Sequence, residues 1–267
     1  MVRVATFNLH TGVDGWGRPT QVLEHVIALD ADVMILPELW RGEGGHDFYG
    51  ELRDRLVMNG AFAPLATGQR VTTGVGGRTW QPMLAHFTGE HGLYFDEHRS
   101  LTKAQRARRG DLGAVEHGQW GLGLLTSLAI EDIRVEMLDR LPREKVRRAF
   151  IVARLNDRGR SFYVIAVHGA HLSHGSYRQY RRISEFVDSL DPSVPILLAG
   201  DFNCWRPLLR TLLPGWTSMV RARTWPARMP HSQIDHILTR GPWKSLGGFA
   251  SDGGSDHRAL VADVQLR

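Results

Sequence analysis

The chain has 267 residues, 42% of them hydrophobic, with a formal net charge of +5 and a pI near 9.8. This length allows one large α/β domain or two small ones, and the apolar content excludes global disorder. No apolar run reaches the ~18–20 residues that span a bilayer, the N-terminus lacks the apolar core of a signal peptide, and the only cysteine, Cys204, permits no internal disulfide, so a cytoplasmic location is expected.

In chain order, residues 2–8 alternate like a strand. Thr20 is placed to cap a helix running to Leu29, with Val22, Leu23, Val26 and Leu29 on one face. Asp32-Val33-Met34-Ile35-Leu36 reads as a buried strand that delivers Glu38. A second helix is predicted from Tyr49 to Met58, ending at Asn59-Gly60. Residues 60–118 are the least regular part, rich in Gly, His and Arg. Strand signals return at Gly121–Thr126, then at 149–155 and 161–168 across the turn Asn156-Asp157-Arg158-Gly159. A helix at about 175–190 carries Tyr180, Ile183, Phe186, Val187 and Leu190 at helical spacing. Pro195–Ala199 is a short buried strand ending on Asp201. The last strands are expected at Ile234–Leu238 and Ala259–Val264. No repeat, low-complexity tract or linker divides the chain, so residues 1–267 read as a single domain with 60–118 as its elaboration.

Several polar motifs sit at the ends of these apolar runs, where a sheet passes its chain to a loop. They are Asn8, Glu38, Gly200-Asp201-Phe202-Asn203, Ile234-Asp235-His236 and Ser255-Asp256-His257. Carboxylates, amides and imidazoles arriving together point to a hard-metal site that handles phosphate. Taken singly, Glu38 also fits a solvated loop acid, Asp201-x-Asn203 an Asx-turn, and Asp256-His257 a plain turn. Asp235 lies inside an apolar run, where a buried carboxylate needs a partner. An imidazole would serve, and the pair would raise the basicity of the ring.

Thirty of the 33 basic residues are arginine, the exceptions being Lys103, Lys145 and Lys244. Arginine suits bidentate phosphate contacts, although compositional bias gives the same pattern. The segment Arg99–Arg109 holds five basic residues and no acid, either a solvated face or a contact for a polyanion. Arg143, Lys145, Arg147 and Arg148 form a second basic group. Trp80, Trp120 and Trp205 are candidates for stacking on a base or sugar or for core packing, with Trp205 singled out by its closeness to Asn203.

The ordered set Thr6-Phe7-Asn8, Pro37-Glu38, His171-Leu172, Gly200-Asp201-Phe202-Asn203, Ile234-Asp235-His236-Ile237 and Ser255-Asp256-His257 resembles the endonuclease/exonuclease/phosphatase superfamily over nearly the whole chain. The resemblance implies a four-layer α/β/β/α sandwich of two mainly antiparallel sheets flanked by helices. It also implies Mg²⁺-dependent, or Mn²⁺-dependent, hydrolysis of a phosphoester by in-line attack of water. Carried across, Glu38 is the main metal ligand, with Asn8 and Asp256 beside it. Asp201 positions or deprotonates the water, and Asn203 holds the phosphate. Asp235 pairs with His257, which contacts the phosphate. His171 matches the family's second histidine, with His168 and His174 as competitors for that place. Arg148 and Trp205 are the candidate substrate-binding residues. The substrate is a nucleic acid, nucleotide or other phosphorylated compound, and no protein partner is implied. Pro37 stands where the family often has Gln, Leu39-Trp40 where its DNA-repair branch has Thr-Lys, and His10 where that branch often has Asp. These departures count against an abasic-site endonuclease. A non-catalytic phosphate-binding module on the same scaffold is the alternative, but it would be expected to have lost at least one of these residues.

Overall fold

Val2, Val4 and the run Val33–Leu36 are all buried, and they lie on neighbouring parallel strands at the centre of a sheet. The computed structural model describes residues 1–14, 19–73, 112–142, 144 and 146–267. Strand β1 (Val2–Thr6) pairs in parallel with β2 (Val33–Gly42), and helix α1 (Val22–Ala28) makes the crossover between them. The parallel pairing continues past β1. Phe7 N–H donates to Ile35 O at 3.0 Å and Leu9 N–H to Pro37 O at 2.9 Å, which carries Asn8 alongside Glu38. Helix α2 (Phe48–Leu56) follows, then the long antiparallel pair β3 (Asn59–Thr73) and β4 (Leu112–Thr126). With β11 (Trp243–Asp252) and β12 (Arg258–Leu266), these strands form a six-stranded sheet of order β11-β12-β1-β2-β4-β3.

The second sheet repeats the device. Strand β7 (Arg160–His168) is parallel to β8 (Ile196–Asp201), joined by α3 (Tyr177–Asp188). Strands β5 (Ala129–Met137), β6 (Ala149–Asp157), β10 (Asp235–Arg240) and the short β9 (Thr217–Ser218) complete the order β5-β6-β7-β8-β10-β9. Helix α4 (Arg206–Leu212) lies between β8 and β9 in sequence.

Alternation along the second sheet's strands separates two cores. Phe162, Val164 and Ala166 of β7, Leu197 and Ala199 of β8, and Ile237 of β10 point into the layer between the sheets. Ile165, Val167, Ile196, Leu198 and Leu238 point the other way, against Tyr180, Ile183 and Val187 of α3 and Leu209 of α4. Helices α1 and α2 bury Val22, Val26 and Leu52 against the first sheet. The result is the four-layer α/β/β/α sandwich. No helix among the described residues is long and apolar enough to cross a membrane.

Several boundaries differ from expectation. Thr20 caps nothing: α1 begins at Val22 with Gln21 at the cap position and no side-chain bond, which leaves Thr20 one residue short of the cap, its N–H bonded to Gly12 O at 3.1 Å. Helix α2 is instead capped by Asp47, whose Oδ1 accepts from Gly50 N–H at 3.0 Å. Asn59-Gly60 does not end that helix but opens β3. Both ends of the irregular 60–118 segment are regular, since residues 60–73 and 112–118 belong to β3 and β4. Trp80, the Arg99–Arg109 segment, Arg143 and Lys145 lie outside the described residues.

Candidate active site

The carboxyl ends of the two parallel pairs meet at one edge of the sandwich. Asn8 follows β1, Glu38 sits in β2, His168 ends β7 and Asp201 ends β8. Each is placed by a local device. Glu38 occupies an irregularity in the β2–β4 register between Pro37 and Leu39, with φ of +55°, so its side chain departs from the strand's alternation. Pro37 has no N–H to give, but its carbonyl keeps it in the pairing by accepting from Leu9 N–H. Gly200 has φ of +147°, and a Cβ there would sit 1.9 Å from the Val167 carbonyl oxygen. Only glycine lets β8 approach β7 so closely one residue before Asp201.

One amide joins the halves of the site. Asn8 Nδ2 donates to Glu38 Oε1 at 3.1 Å and to Asp201 Oδ2 at 3.0 Å. Asn8 Oδ1 accepts from His10 N–H at 3.0 Å, and Asn8 O accepts from Ser255 Oγ at 2.7 Å. The amide is therefore fixed in orientation. Asp201 Oδ1 accepts from Asn203 N–H at 2.7 Å, and Asn203 Nδ2 donates to Gly169 O at 3.1 Å. Asn203 has φ of +48°, a conformation asparagine tolerates better than most residues.

Parity explains the dyad. Asp235 shares the inward face of β10 with Ile237, whereas His236 faces the helix layer, where its Nε2 lies 2.9 Å from Cys204 O. His257 Nδ1 is 2.9 Å from Asp235 Oδ2, and His257 Nε2 is 3.9 Å from Asp201 Oδ2. Thr224 Oγ1 accepts from the N–H groups of Ile234 and Asp235 at 3.3 Å each, fixing the start of β10. Asp256 is about a quarter exposed, with Oδ1 3.6 Å from His10 Nδ1.

Electrostatics follow from burial. Burial, helped by the neighbouring Asp235 carboxylate, pushes the Asp201 carboxyl up to about 7. Burial opposes charge on His257, but the carboxylates of Asp235, Asp201 and Asp256 outweigh it and raise the ring well above its ordinary value. Burial, with Arg148 and His257 nearby, holds His168 well below the usual range, so it is neutral. Burial alone would raise Asp256, but His10 and His257 bring it below the usual carboxylate range.

The structure brings Asn8, Glu38, Asp201, Asn203, Asp235, Asp256 and His257 together. It does not bring His171 to them. The turn at Gly169-Ala170 carries the chain outward, and the exposed His171 ring lies 2.7 Å from Ser173 Oγ. His168 occupies the inward position, its Nε2 3.7 Å from Glu38 Oε1 and 3.8 Å from Asp201 Oδ2. The signal was available in the alternation Phe162, Val164, Ala166, His168. Arg148 lies behind this ring rather than in open solvent: Nη1 is 3.0 Å from His168 Nδ1, Nη2 is 3.2 Å from Glu144 Oε1, and the guanidinium stands 5.1 Å over Trp120. Trp120 packs against His168 and is buried. Trp205 is 60% exposed at the head of α4.

Ligand atoms of Asp201, Asp235 and His257 lie within 4.8 Å of one another, which is metal-like spacing. His257 Nδ1 is already engaged by Asp235, however, and hard divalent ions prefer oxygen. The oxygen-rich side, with Glu38, Asp201 and Asp256, is the better seat. Asp201 is raised first by burial and then by Asp235, and Asp235 Oδ1 has no hydrogen-bond partner; a cation would stabilise both carboxylates. The residues present therefore fit a divalent metal.

The family model for the Endonuclease/Exonuclease/phosphatase family matches residues 5–257. Uncharacterized protein YbhP of Escherichia coli strain K12 is 27% identical over 130 residues, covering 40% of this chain and 48% of that protein, so the chain spans about half the length of the curated relatives it matches. Among solved structures, an endonuclease/exonuclease/phosphatase from Beutenbergia cavernae DSM 12333 superposes with a TM-score of 0.67 at 18% identity, covering 99% of this chain and 71% of that one. D. rerio TDP2 complexed with single strand DNA product gives a TM-score of 0.63 at 12% identity, covering 99% and 98%.

Proposed function

The chain belongs to the Endonuclease/Exonuclease/phosphatase family, whose members are phosphoester hydrolases, and from that premise we propose that it hydrolyses a phosphoester by in-line attack of water with a divalent metal, Mg²⁺ or Mn²⁺. The observation that carries the reading is the single network Glu38–Asn8–Asp201, with the His257–Asp235 dyad facing it. Glu38, with Asn8 and Asp256 beside it, would hold the metal. When bound, it supplies charge neutralisation at the phosphate oxygens.

Asp201 orients the attacking water and takes its proton as the new P–O bond forms. A carboxyl pushed up to about 7 is a stronger base than an ordinary aspartate and still ionises near neutrality. Asn8 and the Asn203 N–H keep its lone pairs aimed. His257, held protonated by Asp235, donates from Nε2 to a phosphoryl oxygen, where negative charge builds. Asn203, whose Nδ2 donates to Gly169 O, would help hold the phosphate beside it. Neutral His168 adds a second imidazole edge, backed by Arg148. The bond to the leaving oxygen breaks on the face opposite the water.

The test is hydrolysis of bis(p-nitrophenyl) phosphate, p-nitrophenyl phosphate, and labelled DNA and RNA, with Mg²⁺ or Mn²⁺ and with EDTA as control. Metal-dependent turnover is expected, falling at least about 10²-fold in Asp201→Ala and in His257→Ala. Wild-type rates in both variants, or silence on every substrate, would overturn the assignment.

A further inference from the structure

The 33 residues 202–234, which link the two site carboxylates Asp201 and Asp235, contain no aspartate or glutamate. They contain five arginines, three tryptophans and one histidine. In the fold, this segment forms a wall between the end of β8 and the start of β10. Two adjoining cavities, of about 490 and 240 Å³, share Arg206 and Arg221 in their linings, and no carboxylate lines either. Arg223 lines the larger and Arg210 the smaller. Among the described residues, none of these four guanidiniums makes a hydrogen bond or an ion pair, whereas most other described arginines of this protein are paired with a carboxylate or a carbonyl. The larger cavity also has Trp205 and His231 in its lining. Trp205 is 60% exposed and Trp225, edge-on to His231 at 5.6 Å, is 37% exposed.

The wall is continuous with the chemistry. Trp205 lies two residues beyond Asn203. Thr224 accepts from Asp235 N–H, and Ala227 N–H donates to Asp256 O at 2.7 Å. The wall is thus tied to the site at Asn203, Asp235 and Asp256.

We propose that the 202–234 wall is a binding groove for single-stranded nucleic acid, with Arg206, Arg221 and Arg223 holding phosphates beyond the scissile one and Trp205 stacking on a base. Unpaired guanidiniums supply the repeated anion contacts a backbone requires. Exposed indole offers the π-face that an unpaired base needs and that duplex DNA does not present. The orientation of the strand rests on the phosphoesterase reading above, but binding is measured without turnover, so the two can fail separately.

The experiment is fluorescence anisotropy of the full chain in EDTA, using a fluorescein-labelled oligodeoxythymidine, the same backbone without bases, and vesicles of anionic phospholipid. Binding of the oligonucleotide is expected to weaken with salt, with a slope of about −0.7 per phosphate engaged. Arg221→Ala/Arg223→Ala should flatten that slope by about 1.4. Trp205→Ala should weaken the oligonucleotide by at least about fivefold while leaving the base-free backbone unaffected. The wild-type slope alone tests the proposal if a variant misfolds: a slope near zero, or no binding, overturns it. Tighter binding to vesicles than to the oligonucleotide also overturns it, making the wall a membrane-facing surface. Oligonucleotide binding without hydrolysis of any phosphoester would uphold the groove and sink the catalytic assignment instead.

Discussion

Asp201 is held in a state its own chemistry resists. Burial and Asp235 oppose its charge, while Asn8 and Asn203 N–H favour it. Asp201→Asn removes both the buried charge and the proton acceptor. Turnover should fall by about 10²–10⁴. The thermal midpoint should stay within a few degrees of wild type, because relief of the charge offsets the lost Asn8 hydrogen bond, worth about 1 kcal/mol. A large fall in the midpoint would show the carboxylate to be structural. At this scale much of the cluster is legible in the sequence, since Asp201 and Asn203 follow one apolar run, Asp235 lies inside another and His257 precedes a third. The exception is instructive. His168, His171 and His174 follow one another at equal spacing, and a motif cannot choose among them. Strand parity can, because His168 continues the inward face of β7.

Element boundaries follow the same logic of what the sequence marks and what only packing decides. Buried strands such as β6, β7 and β8 announce themselves by apolar runs. Strands β5 and β11 do not: their residues are mostly exposed, they pair at sheet edges, and their ladders rather than their side chains define them. Helix α2 shows a boundary with a cost. Its C-terminal cap is Val57, in the left-handed conformation with φ of +53° and 86% exposed. A β-branched residue is strained there and has no packing in return. Val57→Gly should therefore stabilise the protein by about 1 kcal/mol, read as a raised urea midpoint with unchanged slope. An unchanged or lower midpoint would refute that account of the cap.

Over the whole molecule, buried titrating groups pull stability in opposite directions with pH. Burial lowers His236 to about 4. The unfolded chain thus takes up this proton first, near 6.5, and stability falls as pH drops from 6.5 to 4. Asp201 acts inversely: its folded value of about 7 lies above the unfolded 3.8, so its contribution to stability grows as pH falls through that interval. His236→Gln removes the first contribution and leaves the second. Urea midpoints in EDTA should show the variant losing less stability than wild type between pH 6.5 and 4, by at most about 3 kcal/mol. Parallel curves would mean that His236 ionises freely in the folded state.

The layer between the sheets carries a further consequence. Beside His168 and Asp201, its inward positions are Ala166 and Ala199, side chains too small to hold the sheets apart. Asn8 and Glu38 belong to one sheet, Asp201 and His168 to the other, and the Asn8 amide and the His257–Asp235 pair span the gap. The sandwich therefore works as a calliper: the thickness of its filling sets the opening of its jaws. Core volume, which in most proteins matters only for stability, here also sets the gauge of the chemistry. Swelling at the seam would silence the site in a molecule still fully folded.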